Sequence, residues 1–492
     1  MERRAKIIAT VGPASEDSPT LTRLLEAGAD AIRFNLSHGS HDGHRKTLRT
    51  VRRAARRLKR HLPVLMDLQG PRHRLGALEG ERRLTEGEVV SLGKGGQGVD
   101  LPIEPPGLLR HLAAGERILI ADGQVELRVE ERARGRVRAR VVTGGPVSSR
   151  KGINLPETDL PFVISAKDRA DIAFAVAEGA DYLAASYVGR ARDLAAVAEA
   201  VARAGGSLPL VAKLERARAV DHLAEIVDAA DALMVARGDL GVEVPLHRVP
   251  ILQKQIVEAG RRAGKPVIVA TQMLESMVKN PRPTRAEASD VANAVFDGAD
   301  ALLLTGETAA GKHPVEAVAT MCRIIETAED WWRQTQEAFQ RAPVPLSREG
   351  AARLRPEPPG AGVQGEAPLE IPDVVAASAV FAARQLRVRQ IVAFSQGGFT
   401  ARLIARYRPV APILVFTTDA GVARQIQLVW GVRSHVRQAD VRHHDEVVQV
   451  VDRHLLAAGL AEPGETILIL MGDPIRERPL TNLMRVHRVR ER

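Results

Sequence analysis

Short apolar segments rich in valine, isoleucine, leucine and alanine alternate along most of the chain with longer segments whose apolar residues recur at helical spacing. Eight segments have the first pattern, which is typical of strands: Lys6 to Gly12, Ala31 to Ser37, Val64 to Gly70, Tyr182 to Val188, Leu210 to Glu215, Ala232 to Leu240, Pro266 to Met273 and Ala301 to Glu307. Helical spacing occurs between them, as at Lys167 to Glu178, Val249 to Ala263 and Arg285 to Phe296. Repeated strand–helix units predict a parallel (β/α)8 TIM barrel, with an open doubly wound sheet as the alternative.

The third and fourth predicted strands are separated by more than a hundred residues, which is far longer than an ordinary connection. Alternating apolar and polar residues occur within this gap at Arg117 to Ile120, Val125 to Val129 and Arg136 to Val142, and glycines separate these runs. The pattern predicts a small antiparallel β-barrel inserted as residues 71–158. It would form a lid over the mouth of the larger barrel, formed by residues 1–70 and 159–341.

A change of composition predicts a further domain. Residues 342–372 are rich in proline, glycine, alanine and glutamate without periodicity, which indicates a linker. Beyond it, strands are predicted at Gln390 to Phe394 and Ile413 to Thr417, and helices at Val374 to Gln385, Thr400 to Tyr407 and Ala420 to Val429. Residues 373–492 should therefore form a C-terminal α/β domain.

Composition narrows the classes of function. The chain is 45% hydrophobic and 26% charged, and it lacks the run of about 18 apolar residues that a membrane span needs. Since no secretory signal precedes the first strand, we expect a cytoplasmic protein without membrane contact. The net charge of +10 could indicate nucleic-acid binding, but the basic residues are scattered and only 3% of residues are aromatic. Anionic small substrates explain the charge, and the basic run Arg49 to Arg60 is interpreted as a solvated helix face.

Polar motifs end most of the predicted barrel strands, which is where the active site of such a barrel forms. They are Arg33-Phe34-Asn35-Leu36-Ser37-His38, Asp67-Leu68-Gln69-Gly70-Pro71, Lys213-Leu214-Glu215, Ala236-Arg237-Gly238-Asp239-Leu240-Gly241, Thr271-Gln272-Met273 and Thr305-Gly306-Glu307-Thr308.

With Lys151 to Pro156, Met234 to Gly241 and Asn280 to Glu287, these segments resemble, in order, the motifs of the pyruvate kinase family. The resemblance spans nearly the whole chain. It implies transfer of the phosphoryl group of phosphoenolpyruvate to ADP, giving pyruvate and ATP in glycolysis, by a Mg²⁺-dependent homotetramer, with Mn²⁺ as an alternative metal.

Phosphoryl transfer needs cations around the transferred group and a divalent metal on its oxygens. Glu215 and Asp239 are carboxylates at neighbouring strand ends, at the positions that bind the metal in the family, although such residues can instead cap helices. Lys213 and Glu215 point to the same side of their strand. By resemblance, Lys213 stabilises the phosphoryl transition state and the enolate, with a structural partnership to Glu215 as the alternative.

Further roles follow from the resemblance. Arg33 and Arg74 would hold the phosphoryl group through their guanidinium forks, unless they form surface ion pairs. Thr271 would orient or relay the proton delivered to the enolate, unless it is purely structural, and the backbone of Gly238 and Asp239 would bind the substrate carboxylate. Nucleotide contacts are expected at Asn35, His38, Arg74 and Lys151; a structural role for His38 is the alternative.

The strand-three motif departs from the usual pattern of the family. Members that require K⁺ bind it through the side chains at Asn35, Ser37 and Asp67 and the backbone of Leu68. Where those members carry glutamate this chain carries Arg72, and it resembles the K⁺-independent subgroup, which has lysine there with the same Leu and Gln neighbours. We therefore expect Arg72 to replace K⁺ as a fixed cation. The alternative is that Arg72 points outward as a salt-bridge partner.

A glycine-rich loop in the C-terminal domain predicts a phosphate site for a regulatory effector, because it gathers backbone N–H groups at a helix start. Its residues are Ser395, Gln396, Gly397, Gly398 and Thr400. Phe399 stands where many members have a basic residue, and the segment Gly472 to Asn482 lacks the usual glycines near Thr481. These departures favour a simpler sugar phosphate or AMP over fructose 1,6-bisphosphate. An ordinary helix start without an effector is the alternative.

Two other classes of function remain to be compared. A pseudoenzyme or basic binding protein with the same fold is supported by the net charge and by the substitutions Arg216 and Ala219 after Glu215. Another barrel enzyme that uses phosphoenolpyruvate would not need the nucleotide contacts or the third domain.

Overall fold

The computed structural model describes residues 3–133, 135–341, 370–437, 444–473 and 480–491. By contact density the chain divides into two compact units, one formed by Lys6–Met321 and the other by Met1–Ala5 with Cys322–Arg492. Of the predicted linker 342–372, residues 342–369 lie outside the described part of the chain.

The first unit contains a closed barrel of eight parallel strands, which confirms the predicted fold class. Its strands are Lys6–Val11, Ala31–Asn35, Val64–Asp67, Tyr182–Ala185, Leu210–Leu214, Ala232–Ala236, Val267–Ala270 and Ala301–Leu304. Parallel pairing places Asn35 opposite Asp67 and Lys213 opposite Met234, so that the polar strand ends meet on one rim of the barrel. The prediction that strand six runs on to Leu240 is wrong, because a helix begins at Arg237 directly after the strand.

Helices connect and surround these strands. They are Ser18–Glu26, His41–Arg57, Ala166–Ala177, Ala191–Arg203, Ala217–Asp221, Leu223–Ala229, Arg237–Glu243, Val249–Arg262, Arg285–Asp297, Gly306–Ala309 and Pro314–Arg341, with 3-10 turns at Leu246–Arg248 and Glu275–Val278. Capping boxes begin two of them, in which Ser165 and Thr284 exchange hydrogen bonds with the residues three positions later. The basic run from Arg49 lies mostly on the helix His41–Arg57, whose Val51, Ala54 and Ala55 are buried.

The inserted segment forms a second closed barrel, of seven strands, with the other two strands paired beside it. The nine strands are His73–Leu75, Arg82–Leu84, Val89–Gly93, Leu101–Glu104, Arg117–Ile120, Val125–Ala133, Arg136–Thr143, Gly145–Val147 and Gly152–Asn154; a 3-10 turn covers Pro106–His111. The predicted small β-barrel is present, and its predicted antiparallel pairing is wrong for one pair, since Val89–Gly93 and Leu101–Glu104 run parallel. The loop between them turns back through glycines of positive φ at positions 95, 96 and 98, which allows this crossing.

The second unit contains a five-stranded sheet. Its strands are Gln390–Phe394, Ile413–Thr417, Val432–Val436, Thr466–Met471 and Leu483–Arg488, the last of which is antiparallel at the edge. Its helices are Ile371–Gln385, Phe399–Ala405, Ala420–Gln425 and His444–Ala457, with a 3-10 turn at Ile426–Leu428. The first helix begins before the predicted Val374 because Pro372 is well suited to a helix start. None of the helices in the described residues is long and apolar enough to cross a membrane.

Candidate active site

Lys213 lies at the centre of the polar rim, with only 10% of its side chain exposed. Its ammonium group is 2.7 Å from Glu215 Oε1 and 3.2 Å from Asp67 Oδ1. It also donates a hydrogen bond of 2.7 Å to Ser186 Oγ, and this hydroxyl donates to the carbonyl oxygen of Leu68 at 2.9 Å. The cluster therefore joins the ends of strands three, four and five around one buried cation.

Arg33 supplies a second cation to the same carboxylate. Its Nε and Nη2 atoms lie 2.8 and 2.7 Å from Asp67 Oδ2, and its Nη1 atom donates to Thr10 Oγ1 at 3.1 Å. Burial alone would raise the pKa of Asp67, but Lys213 and Arg33 outweigh it and hold that pKa below its usual range. The burial of Arg33 argues against the alternative of a surface ion pair.

The charge states at Lys213 and Glu215 favour an additional cation. Burial acts to lower the pKa of Lys213, but the nearby carboxylates of Asp67 and Glu215 raise it, so that the ammonium stays charged. For Glu215, burial raises the pKa to about 7 against the opposing effect of Lys213, and repulsion from Asp239 adds to the rise. A divalent metal prefers carboxylate oxygens and would relieve this repulsion, so the donor set fits Mg²⁺.

Thr271 lies at the end of strand seven and contacts the start of the helix Arg237–Glu243. Its hydroxyl accepts the Gly238 N–H at 2.7 Å and donates to the carbonyl oxygen of Ala270 at 2.6 Å. The backbone at Thr271 has a φ of 68°, which is strained for a β-branched residue and is a feature that clusters at functional sites. The Arg237 guanidinium donates to the Thr271 carbonyl oxygen at 2.8 Å and so helps to hold this conformation.

A cleft of about 290 Å³ lies between the lid and the rim of the barrel. Its charged lining has more cations than anions: Arg72, Arg74, Arg150, Lys151 and Arg216 face Asp122, Asp239 and Glu243. A cleft of this character attracts anionic groups such as phosphates. Four predicted site residues are brought together here, Arg72, Arg74, Lys151 and Asp239. The lining does not include Arg33, Asn35, His38, Lys213, Glu215, Gly238 or Thr271.

Of the four residues predicted to bind a monovalent cation, Asn35, Asp67 and Leu68 have oxygens that already contact protein groups. Asn35 Oδ1 accepts the Ser37 N–H at 3.2 Å, Asp67 pairs with Arg33 and Lys213, and the Leu68 carbonyl oxygen accepts from Ser186. Arg72 is exposed at the edge of the cleft and has no hydrogen bond or ion pair with any residue in the described part of the chain. The described residues thus offer no partner for the outward salt bridge considered for Arg72.

Two polar residues at the rim escaped the sequence-based prediction. Ser186 directly follows strand four and bridges Lys213 to strand three, so the rule that polar strand ends form the site could have found it. Glu243 is buried at the end of a helix whose existence was not predicted, and its position gave no signal in the sequence.

Comparison with known proteins gives matches over both units. A family model described as "Pyruvate kinase, barrel domain" matches residues 2–318, and one described as "Pyruvate kinase, alpha/beta domain" matches residues 373–487. The chain belongs to the pyruvate kinase family. A pyruvate kinase of Geobacillus stearothermophilus is 40% identical over 99% of this chain and 80% of that protein. A pyruvate kinase of Mycobacterium tuberculosis is 40% identical over 100% of this chain and 99% of that protein.

A solved structure extends the likeness to three dimensions. The crystal structure of a pyruvate kinase from Cryptosporidium parvum superposes with a TM-score of 0.86 at 31% sequence identity, and the match covers 99% of this chain and 96% of that one. The pyruvate kinase fold thus accounts for the architecture of both units.

The α/β domain of this chain contains a second cavity, of about 480 Å³. The predicted effector residues Ser395, Gln396, Gly397 and Thr400 line it, whereas Gly398 does not and instead caps the start of the helix Phe399–Ala405 with a φ of 75°. Thr400 Oγ1 lies 2.7 Å from Thr481 Oγ1, so the loop contacts the segment Gly472 to Asn482. Within that segment, residues 474–479 lie outside the described part of the chain.

Proposed function

We propose that the chain transfers the phosphoryl group of phosphoenolpyruvate to ADP and forms pyruvate and ATP in glycolysis. The observation that carries this proposal is the buried Lys213 ammonium between Asp67 and Glu215, at the rim that bounds a cationic cleft. Formation of ATP and pyruvate by the purified chain, with Mg²⁺ present, tests it. A protein that binds both substrates without forming ATP would instead be the pseudoenzyme considered above.

In this reaction the chain's own residues position the substrates and stabilise charge. Arg33 and Arg74 hold the phosphoryl group, and the backbone at Gly238 and Asp239 holds the carboxylate of phosphoenolpyruvate. Lys213 stabilises the negative charge that develops on the transferred group and on the enolate oxygen. Asn35, His38, Arg74 and Lys151 are the proposed nucleotide contacts. The lid excludes water that would otherwise hydrolyse the phosphoryl donor.

Glu215 and Asp239 are the proposed ligands of Mg²⁺, which Mn²⁺ could replace. When bound, the metal would neutralise charge on the phosphoryl oxygens. Support comes from the position of both residues just beyond the paired strands Leu210–Leu214 and Ala232–Ala236, and from the repulsion by Asp239 that contributes to the raised pKa of Glu215.

Asp239→Asn should raise the Mg²⁺ concentration needed for half-maximal turnover by at least about tenfold, because an amide oxygen is a weaker metal ligand than a carboxylate. Turnover measured against Mg²⁺ concentration checks this. The matched control is Asp228→Asn, which removes the charge of an exposed aspartate and should leave the Mg²⁺ dependence unchanged. An unaltered Mg²⁺ dependence in the Asp239 variant would remove this residue from the metal site.

Thr271→Val should lower kcat by about tenfold, because it removes a hydroxyl suited to proton relay and leaves the Gly238 N–H without its acceptor. Thr271→Ser keeps the hydroxyl and should stay within about threefold of wild type. Steady-state kinetics on both variants separate the roles. If valine and serine reduce kcat equally, the hydroxyl is not involved and Thr271 is a structural residue.

We also propose that Arg72 supplies the fixed cation that K⁺ provides in other members, so that K⁺ is not required. Support comes from the exposed position of Arg72 at the cleft and from the protein partners already held by Asn35, Asp67 and the Leu68 carbonyl oxygen. A second monovalent cation beside this guanidinium would be electrostatically unfavourable.

The remaining proposals follow from the family likeness. The cavity at the Ser395–Thr400 loop would bind a sugar phosphate or AMP as an effector. The enzyme would act as a homotetramer in the cytoplasm. Its domains would be the catalytic barrel (residues 1–70 and 159–341), the lid (71–158), the linker (342–372) and the regulatory domain (373–492).

A further inference from the structure

Arg216 directly follows Glu215, and its side chain is only 11% exposed. Its Nη2 atom donates a hydrogen bond of 3.3 Å to the carbonyl oxygen of Thr158, and its Nε atom lies 4.0 Å from Glu243 Oε2. Thr158 belongs to the segment through which the chain returns from the lid to the barrel. One guanidinium thus connects the proposed metal-binding strand end, the rim of the barrel and the base of the lid.

Glu243 completes this connection from the other side. Its Oε1 atom accepts a hydrogen bond of 3.4 Å from Asn154 Nδ2, and its Oε2 atom accepts one of 3.3 Å from the Ala217 N–H. Asn154 is the last residue of the last lid strand. The Glu243 side chain is only 4% exposed, and the Arg216 guanidinium, 4.0 Å away, places a cation beside this buried carboxylate. The two side chains therefore hold two points of the lid, Asn154 and Thr158.

The same residues form part of the cleft. Arg216, Glu243 and Asn154 line it together with Arg74 and Lys151, the lid residues proposed to contact the nucleotide. Their hydrogen bonds of 3.3–3.4 Å and the 4.0 Å ion pair are longer than the usual contacts of these kinds, so a small rotation of the lid would shorten or break them. A displacement of about 1 Å in substrate position can greatly reduce the rate of catalysis.

We propose that Arg216 is a positioning residue that sets the angle of the lid over the cleft, acting through Thr158 and through Glu243 and Asn154. Arg216 is joined to Glu215 by a peptide bond, so the angle of the lid is coupled to the rim where the metal is proposed to bind. The expected change in KM rests on the proposed phosphoryl transfer. The expected change in the mobility of the lid does not. It assigns a role to one of the substitutions that had supported the pseudoenzyme reading.

The kinetic test compares Arg216→Ala, Arg216→Lys and Arg218→Ala. Arg216→Ala should raise the KM for ADP by about tenfold and the KM for phosphoenolpyruvate by a clearly smaller factor, because the lid presents both Arg74 and Lys151 to the nucleotide but only Arg74 to the phosphoryl group. Arg216→Lys should give an intermediate KM, since an ammonium lacks the fork that reaches both partners. Arg218→Ala is the matched control, because Arg218 pairs with the exposed Asp159 on the same segment and should have little effect.

A second readout follows the lid without using the reaction. In Arg216→Ala, amide hydrogen exchange should become faster at residues 152–158, while exchange in the strands of the large barrel stays as in wild type. Glu243→Gln keeps the acceptor for Asn154 but removes the charge, and it should change exchange in the same direction by a smaller factor. If Arg216→Ala fails to fold, the glutamine variant carries the test.

The outcomes separate the two proposals. Unchanged exchange at residues 152–158 in both variants, or an equal rise in the KM values of both substrates, would overturn the positioning role. Faster exchange at 152–158 in a protein whose wild type forms no ATP would support the positioning role and contradict the proposed function. The double variant Arg216→Ala/Glu243→Gln should be no worse than Arg216→Ala alone, and fully additive effects would also overturn the coupling.

Discussion

Lys213→Met lowers kcat by about 10²–10³-fold, which is the loss expected when one preorganised group that stabilises charge is removed from a buried site. The methionine has a similar length but no charge, so it fills the space without neutralising the phosphoryl group or the enolate. The raised pKa of Lys213 keeps the wild-type side chain cationic throughout the neutral range. Coupled assays at saturating phosphoenolpyruvate and ADP measure this loss directly.

A control is needed because Lys213 also compensates Asp67 and Glu215, and its removal destabilises the fold. Thermal unfolding of the variant shows whether the protein remains folded at the assay temperature. Lys265→Met removes a lysine at the opposite end of the barrel, where the ammonium donates to the Ala230 carbonyl oxygen, and it should retain wild-type kcat. If the Lys213→Met protein is folded and its kcat is within about threefold of wild type, Lys213 has only a structural role.

Arg72→Glu creates a requirement for K⁺. Exchanging the guanidinium for a carboxylate reverses the charge at the edge of the cleft, so turnover in K⁺-free buffer should fall by at least about tenfold. Added K⁺ should restore a large part of it, because a monovalent cation can then supply the missing positive charge. Turnover is measured against K⁺ concentration, with tetramethylammonium chloride holding the ionic strength constant.

The wild-type enzyme, Arg72→Lys and Arg83→Glu provide the comparison. Wild type and the lysine variant should be active without K⁺, and Arg83→Glu, an exposed charge reversal elsewhere on the lid, should not respond to K⁺. The account of Arg72 is wrong if the wild type needs K⁺ for turnover or if Arg72→Glu is insensitive to it.

The barrel could be predicted because its strands carry a strong local signal. The eight runs are apolar where the strands are buried, most of them are polar where they reach the rim, and the strands occur in the predicted order. The first two strands of the α/β domain, Gln390–Phe394 and Ile413–Thr417, even have the predicted bounds. In the barrel and in the α/β domain, the apolar residue types of these strands are themselves the signal that the strands are buried.

Other features depend on contacts that local sequence does not record. The helix Arg237–Glu243 follows the apolar strand Ala232–Ala236 with no residue between them. Distant residues hold its start: Thr271 accepts the Gly238 N–H, and Asp290 pairs with Arg237 at 2.6 Å. The parallel pairing of Val89–Gly93 with Leu101–Glu104 in the lid likewise depends on the path of the loop between the two strands. Tertiary contacts decide such cases over local preference.

The candidate site shows the same division. Glu215 and Asp239 could be named from their strand-end positions and the family resemblance, but the shared buried carboxylate of Asp67 between Lys213 and Arg33 required the structure. Arg216 illustrates the limit most clearly. In the sequence it was a departure from the family pattern, and only its contacts to Thr158 and Glu243 give it a role.

Phosphorus NMR of the wild-type enzyme with phosphoenolpyruvate, ADP and Mg²⁺ in K⁺-free buffer follows the phosphoryl donor and the product together. If the chain transfers the phosphoryl group to ADP without K⁺, the phosphoenolpyruvate resonance disappears while the resonances of ATP grow in equal amount. Lys213→Met should leave the spectrum nearly unchanged over the same time. Two results would contradict the proposed phosphoryl transfer. One is conversion of phosphoenolpyruvate to inorganic phosphate without ATP, and the other is no loss of phosphoenolpyruvate with the wild type, even with K⁺ added.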